Sequence, residues 1–305
     1  MDTLIIEKKN EVYITVDCDP NVQRELSEFF TFYVPGYKFM PAFRNRMWDG
    51  KIRLFSQKTK EIYFGLFPYI KAFAEEREYH IVCGKDVEVK NKVDKDIVEK
   101  FSNSLGQKFE ARDYQVDAIY HSLKYNRALL LSPTASGKSF IIYALIRYYT
   151  HLIKDETNNR ILLIVPTTSL VEQMYSDFKS YGWNVEKNCH RLYSGYSNQT
   201  DKKVLISTWQ SLYKLPKEYF DQFGVVFGDE AHLFKSKSLT EIMSKLIDCK
   251  YRIGLTGTLD GAQTHKLVLE GLFGAVNKVT STRKLMDKQQ LSNLVVRCLI
   301  LKHTD

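Results

Sequence analysis

Apolar and polar residues alternate from Val12 to Asp17, which puts Val12, Ile14 and Val16 on one face of a strand. A helix is expected next, because Asp19 or Asn21 can cap it and Val22, Leu26, Phe29 and Phe30 recur at helical spacing. Short strands are predicted around residues 52–55 and 62–64, a helix over 67–78 and a strand over 79–82. Together these describe a small α+β unit. Residues 85–100 are dense in alternating charge with thin apolar spacing and read as a linker or a solvated helix. Beyond residue 128 the texture changes to short apolar runs (ALLL, ILLIV, VLIS, VVF, YRIGL) separated by helical patterns, with helices expected from Lys138 and Ser169. Five or more buried strands alternating with helices call for a mostly parallel sheet covered on both faces. The expected fold is therefore α/β, with one domain over residues 1–100 and a larger one over 101–305.

Composition adds little to this picture, but charge adds more. With 44% hydrophobic and 26% charged residues, the chain has ordinary globular composition. The N-terminus lacks a basic segment followed by an apolar core, and the most apolar stretch, residues 140–153, is interrupted by Arg147 and His151. Secretion and membrane spanning are not expected. Five scattered cysteines without a CxxC pair argue against a disulfide framework or a zinc site and fit a reducing cytosol. The net charge of +8 suggests a polyanionic partner. Residues 1–100 carry 17 basic and 17 acidic side chains, so the whole excess lies beyond them. Inside that neutral part, Lys38, Arg44, Arg46, Lys51, Arg53, Lys58 and Lys60 face the single acid Asp49 within residues 35–60.

Three segments carry chemistry. The run ALLL leads into SPTASGKS (residues 132–139) and then a helix, the context a phosphate-binding loop requires. Backbone N–H groups of Thr134, Ala135, Ser136, Gly137 and Lys138 would cradle a β-phosphate, the Lys138 ammonium would reach the β- and γ-phosphates, and Ser139 would bind Mg²⁺. Ser132 stands where GxxxxGK[ST] has its first glycine. The second segment, VVFGDEAH (residues 225–232), is an apolar strand ending in two carboxylates. Asp229 would hold the Mg²⁺ shell and Glu230 would polarise the attacking water. The third, GLTGTL (residues 254–259), offers Thr256 and Thr258 to His232 as reporters of nucleotide state. Taken singly, the carboxylate pair also fits a helix cap and the third segment a turn. In the basic window, Lys51 and Arg53 share one strand face, and Tyr37, Phe39, Phe43, Trp48 and Phe55 are available either to stack on bases or to pack a core.

In this order, the three segments resemble the superfamily-two helicases and translocases of the DEAH type. The resemblance extends to ARDYQVDAI (residues 111–119), similar to the glutamine motif that reads adenine, with Gln115 as reader and Arg112 nearby. It also covers LIVPTTSLVEQM (163–174) and ISTWQSL (206–212), which in that superfamily touch the sugar-phosphate backbone; it implies nucleic-acid contacts for Thr167, Thr208 and Gln210. NRMWDGKIRLF (45–55) and PKEYFDQFG (216–224) are similar to the UvsW recombination-repair helicases of tailed phages. That likeness implies an N-terminal nucleic-acid-binding domain using Arg44, Arg46, Trp48, Lys51 and Arg53, followed by a RecA-like lobe. It also implies ATP and Mg²⁺ as cofactors and branched DNA or RNA–DNA hybrids as substrates, in the cytoplasm of a host cell. Nothing after residue 258 resembles the motifs of a second RecA-like lobe, so the sequence reads as a piece of a longer enzyme or a chain that depends on another subunit, and hydrolysis by it alone is expected to be weak. A translocase subunit of a restriction system and a nucleotide-binding protein that never turns over remain alternatives.

Overall fold

The computed structural model describes residues 2–88, 90–259 and 263–292. Strands β1 (Thr3–Lys8) and β2 (Tyr13–Asp17) pair antiparallel, and their alternation buries Leu4, Ile6, Ile14 and Val16. Strand β1 is not among the elements expected from the sequence, because only Leu4 and Ile6 of its apolar residues face the core while Ile5 is exposed. Helix α1 (Pro20–Phe29) starts at Asp19, whose carboxylate accepts the Asn21 N–H, and it buries Val22 and Leu26. Strands β3 (Thr31–Tyr33) and β4 (Lys51–Arg53) form a separate antiparallel ribbon that encloses a 3-10 turn at Tyr37–Phe39 and the one-turn helix α2 (Pro41–Arg44). Strand β5 (Glu61–Tyr63), helix α3 (Phe67–Glu76) and strand β6 (His80–Cys83) complete a four-stranded sheet in the order β5-β2-β1-β6, with β6 parallel to β1.

The charge-dense stretch after residue 85 holds helix α4 (Lys95–Asn103), capped by Asp94. Ile97 on this helix faces solvent, but Val98 and Ser102 are buried against α5 (Asp113–Tyr125). The packing of the second unit thus begins ahead of residue 100. From there the chain alternates: β7 (Arg127–Leu131), α6 (Lys138–Leu152), β8 (Arg160–Val165), α7 (Thr168–Ser180), α8 (Val185–Asn188), β9 (Cys189–Leu192), β10 (Val204–Thr208), α9 (Trp209–Tyr213), β11 (Phe223–Gly228), α10 (Lys237–Lys245), β12 (Tyr251–Thr256), α11 (Gln263–Phe273), β13 (Val276–Lys278) and α12 (Thr282–Asp287). The seven strands form one parallel sheet in the order β13-β7-β12-β11-β8-β10-β9.

The buried strand runs divide by parity. Ala128, Leu130, Ile161, Leu163, Val204, Ile206, Val225, Phe227 and Ile253 pack with α5, α6 and α7 on one face. Leu129, Leu162, Ile164, Leu205 and Val226 face the other way, toward α10 and α11. The same second core continues into the N-terminal unit through Ile14, Leu26, Phe55, Leu66 and Phe73, so the two units share one apolar interior. Phe55, one of the aromatics available for stacking in the sequence, belongs to this core and is closed to bases.

The joint between the units is tight and polar at its edges. A Cβ on Gly65 would lie 1.9 Å from the Glu270 carbonyl oxygen, so only glycine lets the turn at Phe64–Leu66 meet α11. Tyr69 donates to the Glu270 carboxylate at 2.6 Å, and the same carboxylate accepts the Val276 N–H at 3.1 Å. At the N-terminal end of β7, Arg127 Nη2 donates to the Glu11 carboxylate at 2.8 Å and to its carbonyl at 2.6 Å, with the guanidinium over the Phe64 ring. Next to it, the fully buried Arg252 donates to the carbonyls of Cys249, Met243, Leu246 and Leu272, tying the C-terminal ends of α10 and α11 to the strand that carries Thr256. Burial, with the neighbouring Arg127 charge adding to it, depresses its pKa to about 10.

Candidate functional site

All the expected nucleotide-site residues lie at the C-terminal edge of the parallel sheet, where ligands of open α/β sheets bind. Residues 132–137 run from β7 into the N-terminus of α6. Ala135 and Gly137 adopt left-handed conformations (φ 63° and 78°), which turns successive N–H groups toward one side as an anion nest. Thr134 and Ala135 form the exposed crest, whereas Ser136 is buried. Ser132 is explained by its bonds. Its hydroxyl lies 2.6 Å from Ser136 Oγ and its N–H donates to the Thr256 carbonyl at 2.8 Å, so a side chain fastens the loop here.

Lys138 reaches across this loop to Glu230, with Nζ 2.8 Å from Oε1. Glu230 itself has a left-handed backbone (φ 49°), uncommon for a residue with a side chain. Its other oxygen lies 3.3 Å from His232 Nδ1, which is 3.0 Å from Thr256 Oγ1, and Thr256 donates to the Thr258 carbonyl at 2.8 Å. A continuous polar chain therefore joins Lys138, Glu230, His232, Thr256 and the backbone of Thr258. Thr258 enters it through its carbonyl.

Asp229, at the end of β11, is 4% exposed, and its Oδ1 is buried with no hydrogen-bond partner. Burial raises its carboxyl pKa and the nearby Lys138 opposes the rise. An unsatisfied buried carboxylate oxygen and a hydroxyl are hard oxygen donors of the kind Mg²⁺ takes, so the residues fit that ion. Ser139, the hydroxyl in question, lies 2.9 Å from Tyr181 OH, and if it donates its proton there its lone pairs stay open to a cation. Sequence spacing gave no sign of Tyr181, because it stands 42 residues further on at the end of α7.

The Gln115 amide spans the N-terminus of α5 and the loop of residues 132–137. It accepts the Arg112 N–H at 3.0 Å and donates to the Ser136 carbonyl at 3.0 Å. One N–H and one lone pair remain to it. Arg112 bonds Tyr114 OH at 2.7 Å. Thr167 and Thr208 are the N-terminal caps of α7 and α9, and they stand beside each other because β8 and β10 are neighbours in register, Thr208 opposite Val165. Thr167 and Gln210 are exposed, whereas Thr208 is buried and lies 3.1 Å from Ser211 Oγ.

The basic window does not form one uniform patch. Arg53 is paired with Asp49 and Lys60 with Asp17 (2.6 Å), while Lys51 lies over the Tyr33 ring. Arg44 and Arg46 are exposed and have no carboxylate partner among the described residues. Trp48 is half-buried, with its indole N–H donated to the Lys51 carbonyl at 2.9 Å.

Residues 108–261 match the family of the type III restriction enzyme res subunit, and residues 6–84 match the N-terminal domain of DNA helicase UvsW. An ATP-dependent DNA helicase uvsW of Enterobacteria phage T4 is 33% identical over 302 residues, covering 96% of this chain and 59% of the relative. A DNA 3'-5' translocase XPB2 of Sulfurisphaera tokodaii is 28% identical over 158 residues, covering 50% of this chain and 32% of its own. A crystal structure of the UvsW helicase from bacteriophage T4 superposes with a TM-score of 0.82 at 33% identity, over 91% of this chain and all of that one. The chain thus spans about 59% of the length of the phage T4 helicase. With one family matched across half of the chain and a solved relative covered from end to end, this chain belongs to the UvsW helicase family, and its residues 108–261 to that of the type III restriction enzyme res subunit.

Proposed function

We propose that this chain is the nucleotide-binding part of an ATP-dependent helicase or translocase that remodels branched DNA or RNA–DNA hybrids in recombination and repair, in the cytoplasm of a phage-infected cell. The observation that carries the reading is the polar chain from Lys138 through Glu230 and His232 to Thr256, set beside the unsatisfied Asp229 oxygen. In this reading, the phosphate loop with Thr134, Ala135, Ser136 and Gly137 binds the triphosphate. Lys138 leaves Glu230 for phosphate, which frees the Glu230 carboxylate to take a proton from water. Asp229 and Ser139 hold Mg²⁺, which supplies charge neutralisation at the phosphates. Release of Glu230 is felt by His232, and through Thr256 by β12 and the loop that follows it. Gln115 and Arg112 sit where the base end of the nucleotide meets the phosphate loop. Thr167, Thr208 and Gln210 lie along a nucleic-acid track at the sheet edge, and the unit of residues 1–100 contributes a second contact through its basic window.

Once it has left Glu230, Lys138 is one positive charge facing the several negative charges of the phosphates. Turnover is therefore proposed to need a further cation from a second RecA-like lobe, an arginine contribution worth about 10³ to 10⁵ in rate in related chemistry. The test is phosphate release and strand separation by the chain together with such a second lobe, on forked DNA, on hybrid and without nucleic acid. Stimulation by forked or hybrid substrate that is lost in Glu230→Gln supports the reading. Hydrolysis indifferent to nucleic acid and to Glu230→Gln overturns it.

A further inference from the structure

The ribbon β3–β4 and the segment it encloses form a prow with large apolar side chains turned outward. Phe39 is 77% and Met47 81% exposed, and Tyr33 is 53% exposed. Exposed apolar side chains grouped with cations mark contact surfaces. The aromatic rings of the prow pack on one another. Tyr33 and Tyr37 stack at 4.7 Å, and Phe43 meets Tyr37 edge-on at 4.8 Å. A Cβ on Gly50 would lie 2.3 Å from the Tyr37 ring, so that ring seats directly on the backbone. The Met47 N–H donates to the Ala42 carbonyl at 2.9 Å, and Arg46 holds a left-handed turn (φ 56°) just before it.

This scaffold walls a hollow of about 610 Å³ lined by Lys38, Phe43, Arg44, Arg46, Met47, Trp48 and Asp49. Phe43, Met47 and Trp48 give it an apolar, aromatic side, and the three cations have no carboxylate partner among the described residues. Asp49 is the one acid on the lining, and Arg53 pairs with it from outside the hollow. Arg53 therefore serves to cancel the charge that would repel an anion here.

We infer that this hollow takes one unpaired nucleotide at a DNA branch point, its base stacked against Met47, Phe43 and Trp48 and its phosphates held by Lys38, Arg44 and Arg46. A blunt duplex keeps its bases stacked inside the helix and presents phosphate alone, so it satisfies the cations and leaves the apolar side wet. The inference rests on the proposed nucleic-acid role of the N-terminal unit and names what that unit recognises: an unpaired base at the branch.

The test uses the full chain without nucleotide and compares three probes of equal length: a blunt duplex, a forked duplex and the same fork with 2-aminopurine as its first unpaired base. The wild type should bind the fork about tenfold more tightly than the blunt duplex and quench the 2-aminopurine on binding. Met47→Ala, a change at an exposed position, should weaken fork binding about fivefold, as loss of apolar contact area with a base does, and leave blunt duplex binding as it was. Met47→Phe should restore the fork preference. Arg44→Ala with Arg46→Gly should weaken both probes and flatten their salt dependence, by about 0.9 in log–log slope for each phosphate no longer neutralised. Equal affinity for fork and blunt duplex, absence of binding to either, or a Met47→Ala loss of the same size on both overturns the inference. Wild-type affinity for an ATP analogue, measured in parallel, separates this failure from that of the nucleotide site: the analogue can bind while the fork preference is missing, and the reverse.

Discussion

Replacing Glu11 by Gln probes the joint between the two units with the smallest change of shape. In the native protein, the Glu11 carboxylate takes Arg127 at 2.8 Å and Lys8 at 2.5 Å, and the Glu11 and Arg127 side chains are only 13% and 11% exposed. Burial alone pushes the Glu11 carboxyl pKa up, but Arg127 and Lys8 outweigh it, and the net shift is downward from 4.5. The glutamine leaves the Arg127 charge inside without its counter-ion. Breaking a buried pair in this way costs about 3–5 kcal/mol in general. Because Lys8 is partly exposed and an amide oxygen still accepts from Arg127, about 2–4 kcal/mol is expected here. That corresponds to a fall in Tm of roughly 3–6 °C for a chain of this size. Thermal unfolding followed by circular dichroism and by tryptophan fluorescence should show one transition, because the units share a core. The double variant Glu11→Gln with Arg127→Met should be less destabilised than the two single changes added together. A carboxyl whose folded pKa is depressed contributes stability above its unfolded value and loses it as pH falls through the folded one. The gap between wild type and Glu11→Gln should therefore be full above about pH 4.5 and close below it. A Tm change under 1 °C, additivity in the double variant, or a gap that widens in acid would refute the reasoning.

Gly137→Ala should abolish binding of ATP analogues while the fold survives, since a Cβ there lies 2.3 Å from Gln115 Nε2 on a backbone with φ 78°. Calorimetry with and without Mg²⁺ checks it. Arg252→Met should lower stability by about 3 kcal/mol or more, measured by urea unfolding, because buried carbonyls of α10 and α11 lose their donor. Ser132→Ala should cost about 1 kcal/mol and weaken nucleotide binding severalfold through a looser loop, whereas unchanged affinity would show that the Ser132–Ser136 contact is incidental.

Strand parity and the SPTASGKS and GDEAH segments made the parallel sheet and its C-terminal edge legible in the sequence, because buried strands and phosphate loops are local patterns. What stayed hidden depends on distant chain segments. Strands β9 (Cys189–Leu192) and β13 (Val276–Lys278) are too short to give a periodic signal, and each becomes a strand only by joining the sheet edge. The division of the basic window between carboxylate-paired cations and the others turned on Asp17 meeting Lys60 across 43 residues. Gly65 and Glu270 look ordinary in sequence, yet their contact fixes the N-terminal unit on α11.

Affinity for a fluorescent ATP analogue with Mg²⁺, compared among wild type, Lys138→Ala and Glu230→Gln, tests the account most directly, because it needs neither a second lobe nor nucleic acid. Lys138 is held by Glu230 until phosphate replaces that carboxylate. Glu230→Gln should therefore bind as tightly as wild type or more tightly, and Lys138→Ala should bind about 100-fold more weakly, as loss of a charge-assisted phosphate contact requires. Wild-type affinity in Lys138→Ala, or a large loss in Glu230→Gln, would contradict it.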